Sequence, residues 1–495
     1  MRRIFLGLLL ISSMSLSAQT SYDLDALRYS QWDVNGTARV MGVGGAFGSV
    51  GADIGSITIN PAGLGLFRSS ELVLSPSIMV TQSETEYITD PQTTGEFNTS
   101  NSQRFYFNNL GGVFSRINKD SKEKLKGYNF ALGYNRMNHF TNKLKFENQN
   151  GFSSLTNAYI NSVNGLPGSS VTFDNVFHEA VLAYNTNIIQ EFDTSGNYIT
   201  PILLPVQQEG LWKEKGSTDM AFIALAVNVD NKYYFGGSFN FPFVRYEREY
   251  DYIETDELNT SIGFESFHFR QEYTAEGNGF NANFGVIAKP VSFMRIGASV
   301  STPSYFSFTE STSSTMVSNF DTSRFESDYN QSFDYLLRLP WRFSSGVSFF
   351  IKKTAFVSFD YEMVGQSSSK YDFGAVNESF NNSLNSAIDT NYRNNSTFRI
   401  GAEYVFKTIR FRAGYAYTLS PFAFELSDEI NFSRKSFTAG LGYKKEKFSI
   451  DAAYVRSIQN EFYVPYFLEA GVFPVSVNRI VKNNVVLTAA YRFSN

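Results

Sequence analysis

The sequence predicts an all-β chain, a 14-stranded antiparallel transmembrane β-barrel with an N-terminal plug inside its lumen. Three observations predict it. The chain opens on a secretory leader, and apolar residues recur at every second position through its C-terminal third. Short polar turns also alternate with long Asn/Ser/Thr-rich connections.

The leader comes first. Arg2 and Arg3 precede the apolar run from Ile4 to Ile11, and small residues end at Leu16-Ser17-Ala18 before Gln19. This is the charged, apolar and cleavage-site order of a signal peptide, predicted to be residues 1–18. The run is too short for a membrane-spanning helix, which needs about 18 apolar residues. Composition points the same way. The chain has no Cys, which excludes disulfides and thiolate metal sites. Mean hydropathy is slightly negative at −0.22, yet there are 49 Phe and 29 Tyr among 495 residues. A barrel reconciles the two, because aromatic girdles line both membrane interfaces around a polar lumen. A net charge of −5 gives no basic footprint, so no nucleic-acid partner is expected.

Alternation identifies the strands. Phe398, Ile400, Ala402, Tyr404 and Phe406 form one face, against Arg399, Gly401, Glu403 and Val405. Ile409, Phe411, Ala413, Tyr415 and Tyr417 alternate with Arg410, Arg412, Gly414, Ala416 and Thr418. The same period runs through 437–443, 448–454 and 485–493. Strands are predicted to start at Glu71, Arg104, Gly127, Asp219, Lys232, Asn278, Phe293, Leu339, Thr354, Ser396, Thr408, Ser436, Phe448 and Asn484. Loops are expected at 81–103, 141–218, 303–337, 365–395 and 457–482. Residues 262–274 read either as an extension of the strand ending near Lys289, broken at Gly277, or as an extracellular hairpin.

Residues 19–66 do not alternate. They are dense in glycine (Gly42, Gly44, Gly45, Gly48) and continue to Ala52-Asp53 and Asn60-Pro61-Ala62-Gly63-Leu64. A dinucleotide-binding loop is excluded, because the spacing is wrong and no strand precedes it. A plug in the lumen is expected, followed by the barrel over 67–495.

Gly44 to Leu64 resembles the hatch of the long-chain fatty-acid transporter (FadL) and toluene transporter (TodX) family of outer-membrane proteins, through Gly44, Gly45, Ala46, Ala52, Asp53, Asn60, Pro61, Ala62, Gly63 and Leu64. Glu276-Gly277-Asn278-Gly279-Phe280, Arg295-Ile296-Gly297, Leu339-Pro340, Asp360-Tyr361, Arg399-Ile400-Gly401-Ala402-Glu403-Tyr404, Arg412-Ala413-Gly414-Tyr415 and Gly440-Leu441-Gly442-Tyr443 follow in the family's order. The resemblance implies a 14-stranded barrel closed by a hatch in the Gram-negative outer membrane. It also implies passive uptake of hydrophobic compounds such as long-chain fatty acids. The expected partners are an apolar small molecule and outer-membrane lipids, with the protein a monomer that needs no cofactor.

Candidate ligand contacts lie in two places. Val176, Phe177, Ala180, Val181 and Tyr184 share a helical face in the longest loop, which also holds the apolar patch with Leu203 and Leu204. Lumen-facing Arg399, Arg410 and Arg412 are candidates for a carboxylate head-group, set against a structural charge network with Glu403 and Asp451. Catalysis is not expected, since neither His139 nor His178 sits in a recognisable nucleophile motif, and His268 is the only other histidine. Two further readings stand beside uptake: a barrel component of a protein secretion or surface-attachment system, and haem binding through His178 with Tyr184.

Overall fold

A computed structural model describes residues 22–90, 95–118, 123–423, 431–468 and 470–493. The predicted signal peptide lies outside them. Fourteen antiparallel strands close on themselves. They are β1 (Glu71–Ile88), β2 (Glu96–Ile117), β3 (Leu125–His139), β4 (Val206–Val229), β5 (Tyr233–Thr255), β6 (Phe264–Val291) and β7 (Met294–Ser301). Then come β8 (Arg342–Ile351), β9 (Ala355–Val364), β10 (Asn395–Phe406), β11 (Ile409–Thr418), β12 (Arg434–Lys445), β13 (Phe448–Tyr463) and β14 (Val475–Arg492). Each pairs with its neighbour in sequence. The ring closes where β1 pairs with β14, from Glu71↔Arg492 to Ile88↔Val475. Closure leaves no sheet edge at the join, which a bilayer requires.

The alternation is realised as predicted. Phe398, Ile400, Tyr404, Phe406, Phe411, Leu441, Ile450 and Leu487 are exposed on the outer wall, while Gly401, Glu403, Arg412, Thr438 and Thr488 are turned into the barrel and buried. Among the described residues no helix is long and apolar enough to cross a membrane; the strands cross it instead.

Several strands run much further than the sequence reading placed them. β5 has 23 residues, whereas a membrane strand needs about 9–11. The expected loop at 81–103 is a hairpin, with β1 paired to β2 up to Tyr87↔Glu96. The expected loop at 303–337 is also a hairpin: Ser304–Phe320 continues β7 upward and Ser323–Leu339 returns to β8. Pro303 and Pro340 sit at the two interruptions, where a residue without an N–H breaks the ladder. Residues 264–274 extend β6 with no break at Gly277. These extensions were missed because, above the lipid, the outer face turns polar while backbone pairing continues. The apolar alternation disappears there and the strand does not.

Two insertions complete the molecule. Residues 151–205 form a cap with helices α3 (Leu155–Val163) and α4 (His178–Asn185). Its core buries Leu155, Tyr159, Val181, Leu182 and Ile189 against Tyr252 and Phe267 of the wall. Residues 365–394 carry α5 (Glu378–Asn391), which buries only Leu384 and Ile388.

Candidate functional site

The N-terminal segment runs inside the barrel, and the wall is shaped to receive it. Helix α1 (Tyr22–Ser30) leads to the short α2 (Ala38–Gly42) and then to 3-10 turns at Ile54–Ser56 and Pro61–Leu66. Thr37 caps α2 and Asp53 caps the first 3-10 turn, its carboxylate accepting from Gly55 N at 3.0 Å and the Thr37 hydroxyl at 2.8 Å. Burial pushes the Asp53 carboxyl up to about 6 against the pull of nearby Arg39. Asn60 caps the second turn through Ala62 N at 3.0 Å, with Pro61 at the first position. Its amide donates to Gly48 O at 2.7 Å, and to Val286 O and Ala298 O on the wall at 3.3 and 3.4 Å. Asn60 therefore ties two parts of the segment to β6 and β7.

The inward glycines of the wall explain the sequence pattern of Arg beside Gly. A Cβ at Gly401 would overlap the Val43 carbonyl, and one at Gly414 would overlap the Val43–Gly44 peptide. Gly297 would meet Gly48 O, Gly285 the Asn60 side chain and Gly236 the Pro61 carbonyl. Gly44 and Gly45 both adopt positive φ, 68° and 74°, which turns the chain sharply at this seat. Ala62 and Gly63 are fully packed, Gly63 O accepting from Ala52 N at 3.0 Å.

Beside the glycines lie ion pairs. Arg412, with a side chain 0% exposed, donates to Glu403 and Asp451 at 2.7 Å each, and Arg39 of the N-terminal segment reaches Glu403 at 3.4 Å. Arg399 and Arg342 share Glu362 at 3.1 and 2.7 Å. Asp360 accepts from Gly48 N at 2.6 Å. Arg399 and Arg412 are thus already held by wall carboxylates, whereas half-buried Arg410, next to the β10–β11 turn, makes none of the ion pairs found among the described residues.

Above this seat the lumen is aromatic. Tyr246, Phe308 and Tyr335 are turned inward with Tyr273 and Phe306 around α1. These residues escaped the sequence reading because the strands were ended too low. The signal was present as inward alternation at Val244, Tyr246, Tyr250 and Tyr252 of β5.

The loop candidates do not converge. Val181 is buried in the cap core and Tyr184 packs at 6.0 Å from Tyr198. Phe177 is exposed, as are Leu203 and Leu204, the last two beside the β5–β6 tip through Leu203 N to Ser261 at 2.9 Å. His178 stacks on Tyr329 at 4.5 Å and bonds Ser314 at 3.1 Å. Burial holds its imidazole below the ordinary range, which keeps it neutral.

Among the described residues, the ladder between β2 and β3 is short. β2 pairs with β3 only from Asn109↔Asn135 to Ile117↔Gly127. Higher up, the third strand stays with β4, first to His139↔Ser217 and then as Asn142–Asn150. From residue 108 upward β2 has no ladder to it. Side chains close the gap instead: the Tyr106 and His139 rings lie 3.8 Å apart, with Arg136 over Tyr106 at 5.1 Å. The upper β1–β2 hairpin lies over the continuation, with Tyr87 against Phe146 at 4.5 Å.

Residues 221–465 match the family model described as outer membrane protein transport protein (OMPP1/FadL/TodX). The crystal structure of a Pseudomonas aeruginosa FadL homologue is similar over 94% of this chain and 100% of that one, at 12% identity and a TM-score of 0.54. The Pseudomonas putida toluene transporter TodX is similar over 94% and 100%, at 11% identity and 0.53. The Ralstonia pickettii toluene transporter TbuX is similar over 93% and 99%, at 16% identity and 0.50. These likenesses establish the fold. No curated protein sequence matches significantly.

Proposed function

We propose, from the match of residues 221–465 to the OMPP1/FadL/TodX family model of outer membrane transport proteins, that the chain is an outer-membrane channel for passive uptake of hydrophobic compounds. Long-chain fatty acids or related apolar molecules are the proposed cargo. One observation carries the reading: the lumen is divided into a glycine-lined seat filled by residues 38–67 and an aromatic chamber above it. A plain aqueous pore needs neither. In this reading residues 19–66 act as a hatch, and the chamber holds the cargo by burial at ~25 cal/mol per Å² of apolar area. The cargo leaves through the seam between β2 and β3, where no backbone ladder must break.

The contacts of the three lumen arginines favour a division of labour. Arg399 and Arg412 position the hatch, whereas Arg410, beside the β10–β11 turn and away from the chamber, joins neither ion-pair group. Neighbouring His178 and Tyr184 are engaged with Tyr329 and Tyr198 respectively, which leaves haem binding without support.

A second reading, attachment or secretion of surface proteins, draws on the exposed Phe192, Ile199, Leu258 and Ile262 of the cap and the adjacent hairpin tip. Mass spectrometry after gentle detergent purification separates the two. Uptake predicts an apolar small molecule carried with the barrel at near-stoichiometric amounts. Stable copurification of envelope proteins with no such molecule moves the assignment to the second reading.

A further inference from the structure

A groove of about 620 Å³ lies on the outside of the wall, between α5 and the strands Ser304–Phe320 and Ser323–Leu339. The register sets one row of outward side chains across it: Phe280 opposite Tyr305, Tyr305 opposite Arg338, and Arg338 opposite Lys370. Their inward neighbours Phe306, Leu337 and Tyr371 are buried in the aromatic chamber, so the row faces away from the lumen. The Phe280 and Tyr305 rings are exposed and stack at 5.6 Å with planes 25° apart. This row is a boundary. On β6 the outward residues below it are Ala282, Phe284 and Val286, and those above it are Asn278, Glu276 and Thr274. The lipid belt therefore ends at Phe280 and Tyr305, as an aromatic girdle does, on the end of the barrel that carries the long connections.

The two cations of the row are left uncompensated. Arg338 and Lys370 are like charges directly opposite each other, a destabilising arrangement. Among the described residues neither forms an ion pair, and Arg338 donates to the Ser368 carbonyl at 3.3 Å. Exposed cations of β5 and β6 sit instead beside carboxylates, Arg245 with Glu247 at 2.9 Å and Arg270 with Glu272 at 2.7 Å. Asp372, one row higher, and Glu378 of α5 also line the groove. Asp372 accepts from Gly374 N at 2.8 Å, and neither acid forms an ion pair among the described residues. The groove thus sets two positive charges beside stacked aromatic rings, and below them the wall is bare and apolar at the paired Phe284 and Val300.

We propose that this groove is a docking site for an outer-leaflet glycolipid that carries phosphate on its sugar head-group. Arg338 and Lys370 bind one phosphate, the guanidinium through paired N–H donors and the ammonium as a point charge. The sugar rests on Tyr305 and Phe280, and the acyl chains run down the lipid-facing wall past Phe284. A soluble anion would use the two charges and leave the apolar wall beneath them unused, whereas a lipid uses both. The inference rests on the outer-membrane placement and is independent of the cargo.

Native mass spectrometry of the full-length protein in detergent, titrated with diphosphorylated lipid A, should show one lipid bound per chain. Arg338→Gln combined with Lys370→Gln should weaken that binding roughly 10-fold or more. Lipid A stripped of its phosphates should bind the unaltered protein just as weakly. Arg245→Gln combined with Arg270→Gln removes the same charge from the same outer face and should change nothing. Inorganic phosphate should not displace the lipid, because burial of the acyl chains also holds it. Lys370→Gln alone, at an exposed position, carries the test if the first pair does not show the heat-dependent gel shift of a folded barrel. Equal loss from both double variants, indifference to the phosphates of the lipid, or displacement by inorganic phosphate overturns the proposal. Cell fractionation reads the placement separately. A membrane-embedded barrel that fails these tests loses only the docking site, whereas a soluble protein loses the placement as well.

Discussion

Gly414 has no room for a side chain, because the Val43–Gly44 peptide lies against its Cα. Gly414→Leu should unseat the hatch while leaving β11 paired, since β11 faces lipid through Phe411, Ala413 and Tyr415 and is otherwise unaffected. Planar-bilayer recordings should then show raised conductance from a protein that still shifts on a gel with heating. Arg412→Ala should act differently, leaving Glu403 and Asp451 buried without their cation, a loss of about 3–5 kcal/mol. The heat-shift midpoint measures it, and Arg412→Lys should recover little, because a single ammonium cannot span both carboxylates as the guanidinium does. Asn60→Ala removes a cap worth about 1 kcal/mol and three donor contacts. It should cause flickering openings rather than unfolding. The glycines and arginines of this seat were legible in the sequence as the polar and small face of alternating strands. Their partners were not. Arg412 and Asp451 stand on strands whose register becomes definite only when the sheet closes.

Among the elements, the cap and the hatch separate by experiment. Asn150 and Val206 are ladder partners, so replacing 151–205 by a short turn should leave the barrel intact. In the proposed reading its conductance should match the full chain, because residues 38–67 rather than the cap seal the lumen. Deleting 21–64 behind the signal peptide should raise conductance instead. The seam makes a third element-scale prediction: cross-linking cysteines at Tyr106 and His139 should slow uptake, and reducing the link should restore it. Unchanged uptake would mean a periplasmic exit. Fourteen strands were countable from sequence because lipid imposes a period of two. The upper hairpins were not, since Ser, Thr and Asn on both faces read as loop. The seam was equally hidden, because the third strand carries no proline and its divergence from β2 is set by the hairpin folded over it.

At the scale of the whole molecule, a closed barrel, a seated N-terminal segment, an aromatic chamber and a cap are arranged in series along one axis. Closure into fourteen strands was readable from the alternation and the turns between strands. The chamber was not, since it is built from strand segments lying above the lipid and from α1, which are far apart in sequence. The central claim is that this series passes hydrophobic molecules inward without an energy source. The most direct measurement is the initial rate of uptake of labelled toluene and of a labelled long-chain fatty acid, in de-energised cells lacking the gene and in the same cells with it restored. The account predicts slower uptake of at least one compound without the protein and full recovery on restoration, with no dependence on cellular energy. Equal rates in both strains across a broad panel of apolar compounds would contradict it.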